Sequence, residues 1–344
     1  MSHHNTTSRA RRRPVVVTAV RDSRVFLAIS SDDTTDADTT DDDDDADAAD
    51  RLPDYNASME DFAFGAVARA YGDSGLDALR TSRVAVVGLG GVGSYCVEAL
   101  ARSGVGYLTL IDLDEVCISN LSRQVEATRD NAAKGTLKVD ALAERVLAVN
   151  PFCRVSREAS FLDASNCAEL LSPDARTSAP PFDCVIDCLD DFAHKAEVIA
   201  HCVRGGIPVV TTGVAAGFDN AAAVSVADLA SISTAAADGV LRKTRNRLRR
   251  DHGFTTGTEA AGWGVPCVYV PVGSNALERS AEAEAVPEEV PEEETEGEGD
   301  AWGSMSLDDL RGGALCFVTG AQGFCAAGEA VNGIVRRARA RGGA

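Results

Sequence analysis

No C-x-x-C pair occurs anywhere in the chain, although it contains ten cysteines. A structural zinc of the paired-cysteine kind is therefore not expected, because tetrahedral thiolate sites are built from such close pairs. Cys184 and Cys188 come nearest, spaced C-x-x-x-C. A secretory leader is lacking too, so the thiols are read as reduced and intracellular. Nor is there a long unbroken apolar run. The stretch Leu315 to Val335 comes closest but carries Gln322, Glu329 and Asn332, which hydrocarbon would penalise. It is expected as a buried helix closing a domain, with no membrane span.

Positive charge is scarce overall: the 33 Lys and Arg face 53 Asp and Glu, for a formal net charge of -20, which at first argues against a nucleic-acid partner. The distribution reverses that impression. Eleven acids and no base lie between Asp32 and Asp50, and eleven acids with one arginine between Glu278 and Asp300, so the rest of the chain is left near neutral. Such runs repel themselves and bury no core. Residues 1–60 are accordingly expected as a disordered tail, Arg-rich and then acidic, and 278–303 as a disordered acidic insert. Residues 61–277 would form the nucleotide-binding domain, closed by helical residues 304–344. Arg9, Arg11, Arg12 and Arg13 among Ser and Thr would suit an organellar targeting peptide, but the aspartate run behind them does not. The cytoplasm is the leading expectation, with a mitochondrion or other organelle as the alternative.

Against these absences stands one stretch, Val84 to Gln124, reading VAVVGLGGVGSYCVEALARSGVGYLTLIDLDEVCISNLSRQ. Its order is that of a β-α-β nucleotide-binding unit. The run Val84 to Val87 is apolar on both faces, as a buried parallel strand is. Gly88, Gly90 and Gly93 fit G-x-G-x-x-G: one glycine for the tight turn, one for approach to a phosphate, one for close helix packing. The helix that comes next presents amide hydrogens and a positive dipole end to an anion. A second strand, Tyr107 to Ile111, ends at Asp112, about where an acid reaches a ribose hydroxyl in dinucleotide sites.

To this point NAD and ATP are equally good ligands. The residues downstream of Asp112 separate them. Asn120, Arg123 and Gln124 share one short connection, and Lys138 comes after them in G-T-L-K-V. A triphosphate has more charge to neutralise than a pyrophosphate seated on helix amides, and Arg123 and Lys138 can supply the cations. The strand Cys184 to Ile186 ends in D-C-L-D-D, offering Asp187, Asp190 and Asp191 to a metal-phosphate site. Magnesium takes one or two carboxylates plus phosphate oxygens, which fits. An NAD-dependent oxidoreductase is disfavoured by the same features.

The ordered motifs GLGGVGS, IDLDEVCISNLSRQ, RVLAVNP, VIDCLDD and IPVVTTG resemble those of the ubiquitin-activating-enzyme-like (ThiF-type) adenylyltransferases, most closely the branch of tRNA threonylcarbamoyladenosine dehydratases. The resemblance covers roughly Asp61 to Arg337, apart from the acidic insert. It implies that Gly90 and Gly91 lie against ATP phosphates, that Asp112 holds the ribose, and that Asn120, Arg123, Gln124 and Lys138 surround the triphosphate. Asp190 would bind Mg2+. It also implies tRNA rather than DNA as partner, and a homodimer. In the wider superfamily an arginine crosses from the partner subunit; here Arg69 is the nearest candidate, and Ala63 stands where bacterial dehydratases are expected to have one. Cys267, in V-P-C-V-Y, sits where some relatives place a thioester-forming cysteine, and is equally well read as a small buried hydrophobe.

The remaining chain alternates. Phe62 to Leu79 is helical and interrupted by glycines; Leu137, Ala141, Leu142, Val146 and Val149 form a helical stripe stopped by Pro151. A strand at Arg154 to Ala159, a helix from Asp163 to Leu171 with Asp163 as cap, a helix from Ala193 to Arg204 and a strand from Pro208 to Thr211 come next. His194 and Lys195 are read as exposed helical positions or neighbours of the metal. Ala222 to Val226 is expected as an antiparallel strand. The fold class is thus α/β, a Rossmann-like mostly parallel sheet with helices on both faces and an antiparallel extension.

Leu241 to Arg250, LRKTRNRLRR, puts Arg242, Lys243, Arg245, Arg247, Arg249 and Arg250 on one helix. It is either a solvated face or a contact for a phosphate backbone, and Arg242, Lys243, Arg245 and Arg249 are the tRNA candidates. No aromatic residue interleaves, so base stacking is not indicated there. The chemistry that the resemblance implies is ATP-dependent dehydration of N6-threonylcarbamoyladenosine through an acyl adenylate. The alternative is activation of the C-terminal glycine of a ubiquitin-like sulfur carrier, with a sulfur-transfer partner; the missing zinc pairs and the basic helix count against it.

Overall fold

Four apolar residues in a row, Val84, Ala85, Val86 and Val87, cannot all face one side of a strand, and the structure buries both faces. The computed structural model describes residues 57–171, 182–255, 262–277 and 313–342. The acidic runs and the Arg-rich N-terminal stretch lie outside the described residues. In chain order the elements are α1 (Ala57–Ala63), α2 (Gly65–Tyr71), α3 (Asp73–Thr81), β1 (Arg83–Val87), α4 (Gly91–Arg102) and β2 (Tyr107–Ile111). Next come α5 (Arg129–Lys134), α6 (Lys138–Val149), β3 (Arg154–Glu158), α7 (Cys167–Leu171), β4 (Cys184–Asp187), α8 (Phe192–Gly205) and β5 (Val209–Thr212). The remainder is β6 (Ser225–Asp228), α9 (Gly239–His252), β7 (Pro266–Tyr269) and α10 (Cys316–Gly342).

The seven strands lie in the order β3-β2-β1-β4-β5-β7-β6. All neighbours are parallel except β6 and β7. Alternate residues of β1 feed two cores: Val84 and Val86 pack with α4, α6 and α10, whereas Ala85 and Val87 pack with α8 and α9. The chain leaves β1 in one direction for β2 and β3, and β4 returns to its other side. That reversal is the topological switch point, outside whose carboxyl ends doubly wound sheets bind ligands.

Several boundaries differ from the sequence-based expectation for local reasons. Helix α1 begins inside the stretch expected as tail, and Glu60 in it pairs with Arg80 at 3.1 Å. Helix α7 starts only at Cys167, because the Asp163 carboxylate is taken by the backbone and hydroxyl of Ser165 at 2.7 and 2.6 Å, forming a turn instead of a cap. Strand β6 is displaced toward Asp228, since Asn220 caps a 3-10 turn over Ala221–Ala223 and uses up the first expected strand residues. All ten cysteines are unpaired thiols, and among the described residues no helix is long and apolar enough to cross a membrane.

Candidate nucleotide-binding site

The glycine turn after β1 is shaped by contacts that only glycine permits at two positions. Gly88 has φ of +83°, and a Cβ there would lie 3.0 Å from the backbone of Cys188. A Cβ on Gly93 would lie 1.9 Å from the Gly88 carbonyl oxygen, so α4 can approach the turn only with glycine at that position. Gly90 is different: the nearest atom to a Cβ there is Gln124 Nε2 at 4.0 Å. The space beside it is left for a ligand. A Cβ on Gly91 would crowd Thr319 of α10 at 2.8 Å, so this glycine serves packing as well. Gly90 caps α4 with no side-chain hydrogen bond, leaving the helix amides to be satisfied from the cavity side.

The cavity at this end of the sheet has a volume of about 960 Å³ and is lined by Gly90, Gly91, Asn120, Arg123, Gln124, Lys138 and Asp190, among others. That size suits a nucleotide-sized ligand. Sequence separations of up to a hundred residues are closed here by the strand order. Arg123 leaves the 3-10 turn Ile118–Ser122 and donates from Nη1 to the Ser119 carbonyl at 2.8 Å, which orients its guanidinium. Asn120 is buried and accepts from the Cys117 amide at 3.0 Å. Gln124 is buried with Oε1 lacking a hydrogen-bond partner, an atom that a ligand could satisfy.

Lys138 opens α6 with its ammonium 2.7 Å from Asp114 Oδ2. Burial works against its charge, but Asp112, then Asp114 and Glu126, more than offset it, so its pKa rises and it stays a cation. Asp112 accepts from the amides of Leu89 at 2.7 Å and Asp114 at 2.8 Å, tying the glycine turn to the end of β2. Burial raises its pKa, against Lys138 and these amides. Asp114, which no sequence motif singles out, lines the cavity wall where Asp112 does not.

Of Asp187 at the end of β4 and Asp190 and Asp191 after it, only Asp190 lines the cavity, exposed and without an ion pair among the described residues. Asp187 is fully enclosed and paired with Lys195 at 2.9 Å, which removes it from metal binding. Asp191 caps α8 by accepting from the amides of Ala193 and His194 at 2.8 and 2.9 Å. The expectation of an exposed Lys195 is thus corrected: its side chain is 0% exposed. Cys267 lies in the β7 core, where burial pushes its thiol far up. Arg69 is exposed on α2 and does not line the cavity.

Helix α9 sorts its basic residues unequally. Arg245 is buried and donates to the carbonyls of Ile232 and Ala230, so this tRNA candidate is a structural guanidinium. Arg242 and Lys243 are exposed, and with Arg249 they border a smaller cavity of about 240 Å³. Lys243 lines both cavities. The fold also brings aromatics that the local sequence lacks: Arg249 lies 5.4 Å over Trp263 and Lys243 5.3 Å over Phe192.

Glu126 is invisible to sequence reasoning, as nothing in V-E-A marks it. It is buried with neither carboxylate oxygen hydrogen-bonded, and burial lifts its pKa to about 8.

A glycine turn, an open helix N-terminus and two cations converging at the switch point define a doubly wound α/β protein that binds a nucleotide polyphosphate. The chain belongs to the ThiF family, whose family model matches residues 65–330. It is 36% identical over 280 residues to the tRNA threonylcarbamoyladenosine dehydratase of Escherichia coli K12, covering 81% of this chain and 96% of that one. It is 40% identical over 192 residues to the protein of the same name from Haemophilus influenzae, covering 56% and 69%. The crystal structure of the E. coli tRNA N6-threonylcarbamoyladenosine dehydratase in complex with ATP superposes with a TM-score of 0.64 at 34% identity, over 81% of this chain and 96% of that one.

Proposed function

We propose that this protein dehydrates N6-threonylcarbamoyladenosine in tRNA at the expense of ATP. The observation that carries the reading is the cavity where the glycine turn, Arg123, Gln124 and Lys138 meet, in a chain that spans almost the whole length of a named dehydratase. A carboxylate is a poor electrophile. Attack of the threonyl carboxylate on the ATP α-phosphate forms an acyl adenylate and releases pyrophosphate. The neighbouring carbamoyl nitrogen then attacks the acyl carbon, loses its proton and expels AMP, which carries away the carboxylate oxygen. Both partners of the second step sit in one nucleoside, so proximity replaces an enzyme nucleophile.

In this reading Gly88, Gly90, Gly91 and Gly93 shape the phosphate cradle, while Asn120 and Gln124 hold polar groups of the nucleotide. Asp112 fixes the turn through the Leu89 and Asp114 amides, and Asp114, which lines the cavity, would receive the ribose. Arg123 and Lys138 stabilise the charge that develops as pyrophosphate departs. Lys138 would leave Asp114 for a phosphate oxygen, exchanging one anionic partner for another.

Asp190 fits Mg2+: its carboxylate lines the cavity with no ion pair or hydrogen bond among the described residues, which hold no cluster of three or more metal-ligating side chains. Magnesium bound by one protein carboxylate takes its other ligands from phosphates and water. When bound, it would neutralise phosphate charge. Arg242, Lys243 and Arg249 support a phosphate-backbone contact beside the nucleotide, with Lys243 joining the two cavities. A homodimer belongs to the same reading.

Incubating purified protein with ATP, Mg2+ and tRNA carrying the modified nucleoside tests the proposal. Loss of one water from the nucleoside by mass analysis, with AMP formed in equal amount, is expected. AMP formation only in the presence of a ubiquitin-like carrier would overturn it.

A further inference from the structure

Lys195 is fully enclosed, and no step of the proposed reaction uses it. It sits in the first turn of α8, where the helix dipole disfavours a cation. A buried ion pair of this kind is seldom needed for stability, since apolar residues of like volume pack as well or better. Its contacts show where its effect falls.

Two of its three hydrogen bonds go to the last residue of β4, and the third, at 3.3 Å, goes to Thr211 Oγ1, which itself bonds that residue. Lys195 Nζ donates to Asp187 Oδ2 at 2.9 Å and to the Asp187 carbonyl at 3.4 Å. Thr211 Oγ1 donates to Asp187 Oδ2 at 2.6 Å, and Thr212 Oγ1 to the Asp187 carbonyl at 3.3 Å. The other carboxylate oxygen, Oδ1, accepts from the Leu189 amide at 3.1 Å. One residue further, the Cys188 amide donates to the Val87 carbonyl at 2.8 Å, and Gly88 packs beneath the next peptide, between Cys188 and Leu189. Asp191 then fixes the start of α8. The turn between β4 and α8 is therefore held at both ends, with Asp190 the one acid of the turn that lines the cavity.

We propose that Lys195 and Asp187 are positioning residues that set the Asp190 carboxylate for magnesium and the ATP phosphates. This role rests on the proposed assignment of Asp190 to the metal. Partners that hold a ligating carboxylate in place affect metal affinity nearly as ligands do.

The test is calorimetric titration of ATP into the full-length protein, with Mg2+ and with EDTA. Lys195→Met combined with Asp187→Asn leaves no buried charge unpaired. Thr211→Val removes one hydrogen bond on the same carboxylate and one on Lys195 Nζ, leaves the ion pair in place, and serves where the double variant does not fold. Asp190→Ala is the control. The double variant should lose about tenfold or more of the magnesium-dependent gain in ATP affinity, with binding in EDTA unchanged. Thr211→Val should shift the gain in the same direction by less.

Retention of the full gain by these variants, while Asp190→Ala loses it, overturns the positioning role. Equal weakening with and without magnesium overturns it too, since that is general loosening of the fold. If Asp190→Ala keeps the whole gain, the metal assignment itself has failed.

Discussion

The residue with the most unusual environment near the nucleotide cavity is Glu126. Its carboxyl is buried without a hydrogen bond and titrates near pH 8, well above the usual carboxylate range, because burial penalises its charge. Between the unfolded pKa and about 8 the folded state holds a proton that the unfolded state has released, so this group's contribution to stability falls as pH rises and levels off beyond about 8. Glu126→Gln, which stays neutral, removes that slope. Its melting temperature relative to the parent should rise between a measurement near pH 5 and one near pH 8.5; a constant difference would place the charge elsewhere. No sequence pattern predicts such a residue, because its burial depends on what the fold packs around it, which V-E-A does not show. The exposed alternative for Lys195 fails for the same reason: the pattern of one helix shows which positions share a face, not what lies opposite.

At the scale of elements, β1, β2 and β4 were legible because each is a short apolar run ending in a turn or an acid. The glycine spacing fixed the helix between the first two. What the sequence left open was the division of α9 into a buried and an open side. Leu241, Thr244, Arg245 and Leu248 are buried at helical spacing, so a guanidinium has been recruited to the inner stripe. The two kinds of basic residue should respond differently to substitution. Changing Arg242, Lys243 and Arg249 together to Ala should weaken tRNA binding and flatten its logarithmic salt dependence by roughly two to three units, as each phosphate contact contributes about 0.7 to 0.9. ATP affinity in the absence of tRNA should change little if Lys243 acts on the backbone. Arg245→Ala should instead lower the melting temperature, because two buried carbonyls lose their donor. A triple variant with unaltered tRNA affinity and salt slope would make α9 a solvated face.

Taken whole, the molecule carries its excess negative charge in two runs of sequence, while the nucleotide cavity lies where both directions of the sheet part. Residues lining that cavity come from the β1–α4 turn, the β2–α6 connection, the β4–α8 turn, α9 and α10. A ligand there touches segments from both sides of the switch point, so its binding energy should appear as stability of the entire domain. At a nucleotide concentration of about one hundred times Kd the linkage amounts to roughly 2.7 kcal/mol. For a domain of this size that corresponds to a melting shift of about 5–10 °C. Magnesium-ATP should therefore raise the melting temperature as a single transition, and Arg123→Ala should abolish most of the shift while leaving the ligand-free transition close to the parent. A shift that persists in Arg123→Ala at the same nucleotide concentration would move the triphosphate away from the 3-10 turn, and with it the assignment of the cation opposing the departing pyrophosphate.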